Sequence, residues 1–576
     1  MSQGSVIIPT SGVVSGVTMA TDINTALDAL RSSNSGGSAP GTDSPIGGQL
    51  WWDTSVTPPV LRIFDGSDWL VAQGQTFYYD TVADVIAATV PDTINFLLVA
   101  GYTTPGDLGG ALYWRNEDPF GEFQSADGAW WLLKEPIVNP YMFGAIGDGS
   151  ADDTTGSQAC VSYCVALGIP MICPGGAFRS TSAIVVDGRI SMQGAGSAVS
   201  QFFIDPTIDD TSMTFTENAN GSRVVGFGFT GYQAVGATAP AVWIQPGCNN
   251  MHFEHNFIQG GECCLHQQGT DNTFFNNEMR FAYGRAIVVN YGDAAHSSGV
   301  WFIRNKLDHA SSNNEPPAGY VANARADTTH YDVDDVVTNQ GWLIQCTTAG
   351  TTGSGDPTFT TYENPFADGS AAWQLMCPIG YASMLIDSGS SELFLDNNDH
   401  SGFFDVGINI VDNQTGGAPY LIHISHAICG NQHQQAINVG AGKDVYIGQG
   451  CELNPGWAES DAECVATQGS FTGNIHVCDC DIMSGNSNVD ALKFFGNYNG
   501  VTVADNYFKG TFSHGIKVDT GGGAIECLSI TGNNFEESNS INVDSGANWY
   551  VITSNQTKGG GVSAATSASK VVANNV

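Results

Sequence analysis

The sequence predicts an all-β chain wound into a solenoid of stacked parallel coils, and three observations carry that expectation. First, one short phrase recurs ten times between Met251 and Asn555: a residue, any, apolar, any, any, then usually Asn. Second, the sixth positions lie 21, 28, 93, 33, 19, 30, 26, 27 and 22 residues apart, the period of a repeat whose units each make one coil. Third, the chain has 71 Gly and only 13% charged residues, which suits a turn-rich β protein.

The phrase reads Met251 to Asn256, Asn272 to Asn277, Val300 to Asn305, Leu393 to Asn398 and His426 to Asn431. It continues as Val445 to Gly450, Ile475 to Cys480, Val501 to Asn506, Leu528 to Asn533 and Tyr550 to Asn555. Alternation sends the first and third residues inward and the second and fourth outward. The closing Asn is expected to take the left-handed bend that leaves the strand, and to hydrogen-bond the same amide one coil away.

Composition bounds function. Against 57 Asp and Glu stand 18 Lys and Arg, a formal net charge of −39. Nucleic acids and anionic membranes are attracted by basic patches, so neither is an expected partner. The start, Met1-Ser2-Gln3-Gly4-Ser5, has no basic stretch followed by an apolar one, and no apolar run is long enough to insert in a membrane. The 14 cysteines show no zinc spacing and read as buried thiols of a protein made in a reducing cytosol. Cys346 and Cys377, which flank one small module, are the pair to check for a disulfide. No cofactor and no metal site is expected.

Residues 1–74 begin with a short helix expected over Thr21 to Arg31, then a Ser/Gly/Pro-rich loop from Ser32 to Gly48. Gly48 to Thr54 and Leu61 to Trp69 read as strands, with Asp65-Gly66 as a tight turn. This stretch resembles the N-terminal virion-attaching segments of bacteriophage tail fibres and tailspikes. There a helix, such a loop, a G-x-L-W-x-D-T strand and an x-D-G-S-x-W turn recur. Residues 75–140 look like the small β domain that precedes the solenoid in many tailspikes.

Phe143-Gly144-Ala145-Ile146-Gly147-Asp148-Gly149-Ser150-Ala151-Asp152-Asp153-Thr154 leads to a helical pattern, Gln158 to Leu167, and then Pro174-Gly175-Gly176. This closely resembles the entry to pectate-lyase-like right-handed parallel β-helices, which residues 141–558 are expected to form. The helix would cover the open apolar end of the solenoid. Asp152, Asp153 or Thr154 is expected to cap it. Thr155-Gly156-Ser157 departs from the usual Ala-rich start, so a late start is expected. Removing residues 316–378 from the 93-residue gap leaves an ordinary coil, so this segment reads as an inserted β module. It resembles carbohydrate-binding-like modules of phage tail proteins, and a purely architectural role fits equally. Residues 559–576 form a low-complexity tail.

The outward second positions run His252, Thr273, Trp301, Phe394, Ala427, Tyr446, His476, Thr502, Ser529 and Val551. Trp301, Phe394 and Tyr446 could stack on sugar rings, whose C–H faces are apolar, or pack against a neighbouring chain. The residues just past the sixth position run Phe257, Glu278, Lys306, Asp399 and Gln432. Glu278 and Asp399 are then two coils apart, roughly 9–10 Å at about 4.8 Å per coil, with Lys306 between them. That is near the upper end of the spacing of an inverting glycosidase pair, about 6.5–9.5 Å. Arg280 and Asp308 follow two residues on, in adjacent coils. Glu278, Asp308 and Asp399 are therefore the general acid/base candidates, with His400 and His309 behind them. Arg280 and Lys306 are candidate substrate ligands. Each of these also fits an ordinary solvated charge.

The resemblance implies a phage tailspike on the virion tail, assembled in the host cytoplasm. It implies a homotrimer held to baseplate or tail proteins by its N-terminus, binding and depolymerising a bacterial capsule or O-antigen. Few basic residues favour hydrolysis over a lyase, which would draw on Lys306, His309, Arg280 or Tyr283. A non-catalytic receptor-binding fibre is the alternative from another class. A free pectin-degrading enzyme would have no use for the first 140 residues.

Overall fold

In the computed structural model the described residues are Thr21, Ile23 and most of 35–575; segments including 1–20, 281–283, 291–296, 309–322, 401–403, 456–462 and 468–472 lie outside them. The chain divides into two compact units, Met1–Pro136 and Ile137–Val576.

In the first unit, Leu50–Asp53, Val60–Phe64 and Trp69–Val71 form an antiparallel meander, with Ser35–Gly36 added in parallel at its edge. Alternation buries Trp51 and exposes Trp52, and the Trp51 ring meets Trp69 edge-on at 5.7 Å. The buried Asp53 carboxylate accepts from Arg62 at 2.8 Å. A second sheet of five strands follows between Thr76 and Leu133, packed around Tyr113 and Trp131. The helix expected over Thr21 to Arg31 lies outside the described residues, apart from Thr21 and Ile23, which are helical.

The second unit is a parallel β-solenoid of about thirteen turns. Its coils are triangular. One face is a fourteen-stranded sheet running from Met171–Cys173 to Ser569–Ala573. The next is a thirteen-stranded sheet from Ile184–Val186 to Val562–Ala564. The third has seven strands, Asp148–Asp152 to Lys306–Asp308, and five more from Ile428–Gly430 to Asn534–Phe535. Single bridges through Asp399 join those two runs.

Each recurring phrase is a strand of the fourteen-stranded face and the corner after it. The third positions point inward and stack from coil to coil, Phe253 on Phe274 at 5.7 Å and Phe274 on Phe302 at 4.9 Å. The left-handed residue is the fifth of the phrase and not the sixth. His255, Asn276, Arg304, Asn397, His426, Gln449, Asp479, Asp505 and Ser554 have φ between 49 and 61°, and Gly532 completes the series. That kink turns the next residue into the core, where the Asn forms the ladder, except after Gln449: there the expected closing residue Gly450 is exposed and left-handed, an extra residue in the corner, and Cys451 takes the buried place. Asn256, Asn277 and Asn305 each donate Nδ2 to the Oδ1 of the next, at 3.0–3.1 Å, ending on Asn398. Asn506, Asn533 and Asn555 repeat the pattern towards Asn575. Ala427, Cys451 and Cys480 take the three positions between the two runs, where the residue is buried.

The phrase expected at His426 to Asn431 is misplaced by four residues. The strand is Tyr420–Ser425, with Ile422 and Ile424 inward and Ala427 at the closing position. Ala427 is small enough to fit there, so the amide itself is not obligatory.

The helix spans Thr154–Leu167 and so does not start late. Gly156 is why: a Cβ there would lie 2.6 Å from the Ala145 nitrogen and 3.0 Å from the Phe143 oxygen. Asp153 precedes the helix, but its buried carboxylate accepts from the Ile146 and Gly147 amides at 2.6 and 3.0 Å instead of capping it. Asp152 accepts from the Thr154 amide at 3.1 Å. Gly156→Ala would gain up to about 1 kcal/mol of helix propensity, but the clash costs about 1–3 kcal/mol. The thermal midpoint of the variant is expected to fall; a rise would show that the helix can shift freely over its seat.

The insert has its own sheet of five strands and its own core, with Trp342, Ile344, Phe366, Trp373 and Leu375 buried and Tyr331 packed against them. The Arg325 guanidinium is ion-paired with buried Asp368 at 2.6 Å. Cys346 is a free thiol, and its strand register sets Leu343, not Cys346, opposite Cys377. No disulfide joins the two. The cysteines whose side chains are described are all free thiols.

Candidate functional site

The corner after each ladder residue launches a strand of the third face, and its first residue points outward. Register places Glu278 beside Lys306 and Arg280 beside Asp308. Lys306 lies beside Asp399, and Asp399 beside Ile428. Three carboxylates and two cations thus share one outward patch on three successive rungs. Glu278 and Asp399 are two rungs apart, about 9–10 Å, with Lys306 between them. Ile428, not Gln432, continues the column; Gln432 is wholly buried. Glu278 is ion-paired with Arg280 on its own strand. Lys306 is exposed, and Glu278, Asp308 and Asp399 are half-buried. His309 and Tyr283 lie outside the described residues.

His400 faces the interior and is fully buried. The Ser383 hydroxyl donates to the Gly407 carbonyl at 2.5 Å and meets His400 Nδ1 at 2.6 Å. Burial holds the imidazole down at about 4, with Asp399 opposing. A neutral, enclosed imidazole cannot reach a polymer outside, so His400 leaves the candidate list.

Round the corner on the fourteen-stranded face, Trp301, Phe394 and Tyr446 belong to a longer ring column. Trp301, Phe394, His423, Tyr446 and His476 stack in five successive coils, with centroids 4.2, 5.1, 4.7 and 4.6 Å apart and planes within 14° of parallel. The rings therefore cover one another's faces and turn their edges outward. The flat faces left uncovered are those at the two ends of the stack, Trp301, whose residue is 43% exposed, and His476, which borders a second cavity. A cleft of about 450 Å³ runs beside the column, lined by Phe394, His423, Ser425, Tyr446, His476 and Asp479 among others. Asp396 is hydrogen-bonded to Ser425, one of the lining residues. Burial opposes its charge, but hydrogen bonds from His426 and Ser425, both 2.8 Å, hold its carboxyl below the usual range.

Burial also lowers His423 and His476. These two and His400 take up protons more readily unfolded, so stability falls as pH drops below the ordinary histidine value of 6.5. The thermal midpoint is expected to fall from neutral pH to about 4, with His400 contributing about 3 kcal/mol. His400→Asn should flatten that slope. An unchanged slope would remove His400 as its source.

Sequence reading missed a second charged group, on the thirteen-stranded face. Buried Glu463 and Asp490 each stand two residues before the register partners Val465 and Leu492, one rung apart. Lys493 reaches Glu463 at 2.9 Å. Asp490 takes His514 at 2.7 Å and Lys517 at 3.4 Å. Carboxylates one rung apart approach the spacing of a retaining pair, about 5–5.5 Å. The available signal was the repeated offset of Glu463, Asp490 and His514 before Val465, Leu492 and Ile516.

No family model and no curated protein matches this chain. Its solenoid is structurally similar to tailspike proteins of phages. The enzymatically active domain of bacteriophage CBA120 tailspike protein 2 matches at TM-score 0.39 and 13% identity, over 80% of this chain and 57% of that one. The gp49 tailspike of Acinetobacter baumannii bacteriophage Fri1, a capsular polysaccharide depolymerase, matches at 0.39 and 10%, over 87% and 75%. The A-module of a mannuronan C-5 epimerase from Azotobacter vinelandii matches at 0.43 and 12%, over 76% and 99%. The chain spans 57% and 62% of the length of the two CBA120 structures. At such identities the likeness is one of fold.

Proposed function

We propose that this chain is a phage tailspike that binds a bacterial surface polysaccharide, capsule or O-antigen, and depolymerises it by glycoside hydrolysis. The observation that carries the reading is the outward column Glu278–Lys306–Asp399, flanked by Arg280 and Asp308. Glu278, oriented by its ion pair with Arg280, activates water, and Asp399 or Asp308 protonates the leaving oxygen. Lys306 and Arg280 hold hydroxyl or acid groups of the chain. The exposed Trp301 face supplies one apolar platform. Residues 1–74 attach the spike to the baseplate or tail, the 316–378 insert adds a carbohydrate contact, and the working particle is a homotrimer.

The test incubates purified protein with polysaccharide from a panel of host strains. Chain length, new reducing ends and the ultraviolet absorbance of an unsaturated product are followed. Shortening with reducing ends and no new absorbance supports hydrolysis. New absorbance would replace it with a lyase centred on Lys306 and Arg280. Binding without shortening would retire the catalytic assignment in favour of a receptor-binding fibre.

A further inference from the structure

Where the thirteen-stranded face turns into the fourteen-stranded face, three wholly buried side chains meet at one corner: Asn290, Asp387 and Ser390. Val289 and Ile386 are register partners, so Asn290 and Asp387 occupy equivalent places on adjacent rungs. The Ser390 amide donates to the Asp387 carbonyl at 3.2 Å. Asn290 Nδ2 donates to the Ser388 carbonyl, which fixes Asn290 Oδ1 as the free end of that amide. Among the described residues, one oxygen on each side chain, Asn290 Oδ1, Asp387 Oδ2 and Ser390 Oγ, has no hydrogen-bond partner.

The first two are acceptors, and the hydroxyl can turn its lone pairs the same way. Asp387 places a carboxyl group away from water. Its other oxygen, Oδ1, accepts from the Ser388 amide at 2.7 Å, the Ser388 hydroxyl at 3.2 Å and the Asn413 amide at 2.9 Å. Among the described residues no Lys, Arg or His is ion-paired with it. A buried carboxylate without a counter-charge is strongly disfavoured. A second carboxylate, Asp412, accepts from the same Ser388 hydroxyl at 2.7 Å and stands at the solvent side of the corner. Hard oxygens from Asp, Asn and Ser, with water completing the shell, are the ligand set of calcium. A chain of net charge −39 further favours a cation over an anion there.

We infer that this corner binds a calcium ion through Asp387, Asn290 and Ser390, locking adjacent coils at the point where the chain turns between faces. The inference does not rest on the proposed catalytic function. The whole chain, stripped with EDTA, is melted with and without added calcium, with magnesium as a control. The expected result is a rise of several degrees with calcium that Asp387→Asn and Asn290→Ala both lose. Calorimetric titration of the wild-type chain should show one tight calcium per chain, an assay that stands even if the variants do not fold. No tight calcium, or a rise that survives in Asp387→Asn, overturns the site and leaves a buried water as its occupant.

Discussion

Replacing Glu278 by Gln or Asp399 by Asn is expected to cut polysaccharide cleavage by about 10²–10⁴-fold, the range for loss of a positioned acid or base. Binding of the uncleaved polymer should persist, because neither substitution removes Lys306, Arg280 or the Trp301 face. Both side chains are partly exposed on a rigid strand or bridge, so the fold should tolerate the change. The wild-type rate should follow a bell-shaped pH profile, with one limb lost in each variant. The competing result is informative. If Glu463→Gln and Asp490→Asn abolish cleavage while Glu278→Gln does not, the reaction belongs to the thirteen-stranded face, and a retaining outcome becomes the expected stereochemistry.

Asn305→Ala is expected to be among the most damaging single substitutions in the solenoid, at about 3–5 kcal/mol. Its Oδ1 accepts from the Asn277 amide and Nδ2, both at 3.0 Å. Its Nδ2 donates to the Phe274 carbonyl and to Asn398 Oδ1, also at 3.0 Å. Truncation leaves these groups short of partners in the buried interior. Asn534→Ala, at an exposed position on the third face, is the control and should change little. Cys480→Asn should be tolerated, because the Cys480 amide already donates to Asn506 Oδ1 at 3.0 Å and the new side chain would extend that run. Denaturant midpoints of the three variants decide the matter. An Asn305→Ala midpoint no lower than that of Asn534→Ala would sink the ladder as a source of stability.

Much of the site's geometry was legible because Asn closes the phrases before it. Asn256, Asn277, Asn305 and Asn398 mark their rungs, so the residue after each falls into one column, and the 63-residue insert did not disturb the count. Reading failed at the next coil for a physical reason. The closing position demands a small or amide side chain in a tight buried column, and Ala427 satisfies it. Searching for Asn there slid the frame to Asn431, which hid His423 from the ring column and put Gln432 where Ile428 stands. The alternation of Ile422 and Ile424 was the better guide, since inward apolar residues are required in every coil. The left-handed corner was also assigned to the wrong residue. Several residue types occupy it, among them His, Arg, Gln, Asp and Ser, so composition does not mark it.

By itself, the sequence determined the all-β solenoid, its inward columns, the Asn ladder and the outward column of Glu278, Lys306 and Asp399. These follow from a period that repeats locally, strand by strand. Only the tertiary structure decided what depends on the other two faces and on neighbours across coils. The linking loops vary in length, so no fixed spacing in the chain announces that Asn290 and Asp387 share a corner or that His400 turns inward. The same holds for the aromatic column. Its positions were readable for Trp301, Phe394 and Tyr446, but that the rings stack on one another and hide their faces is a matter of side-chain packing between coils, which periodicity does not encode.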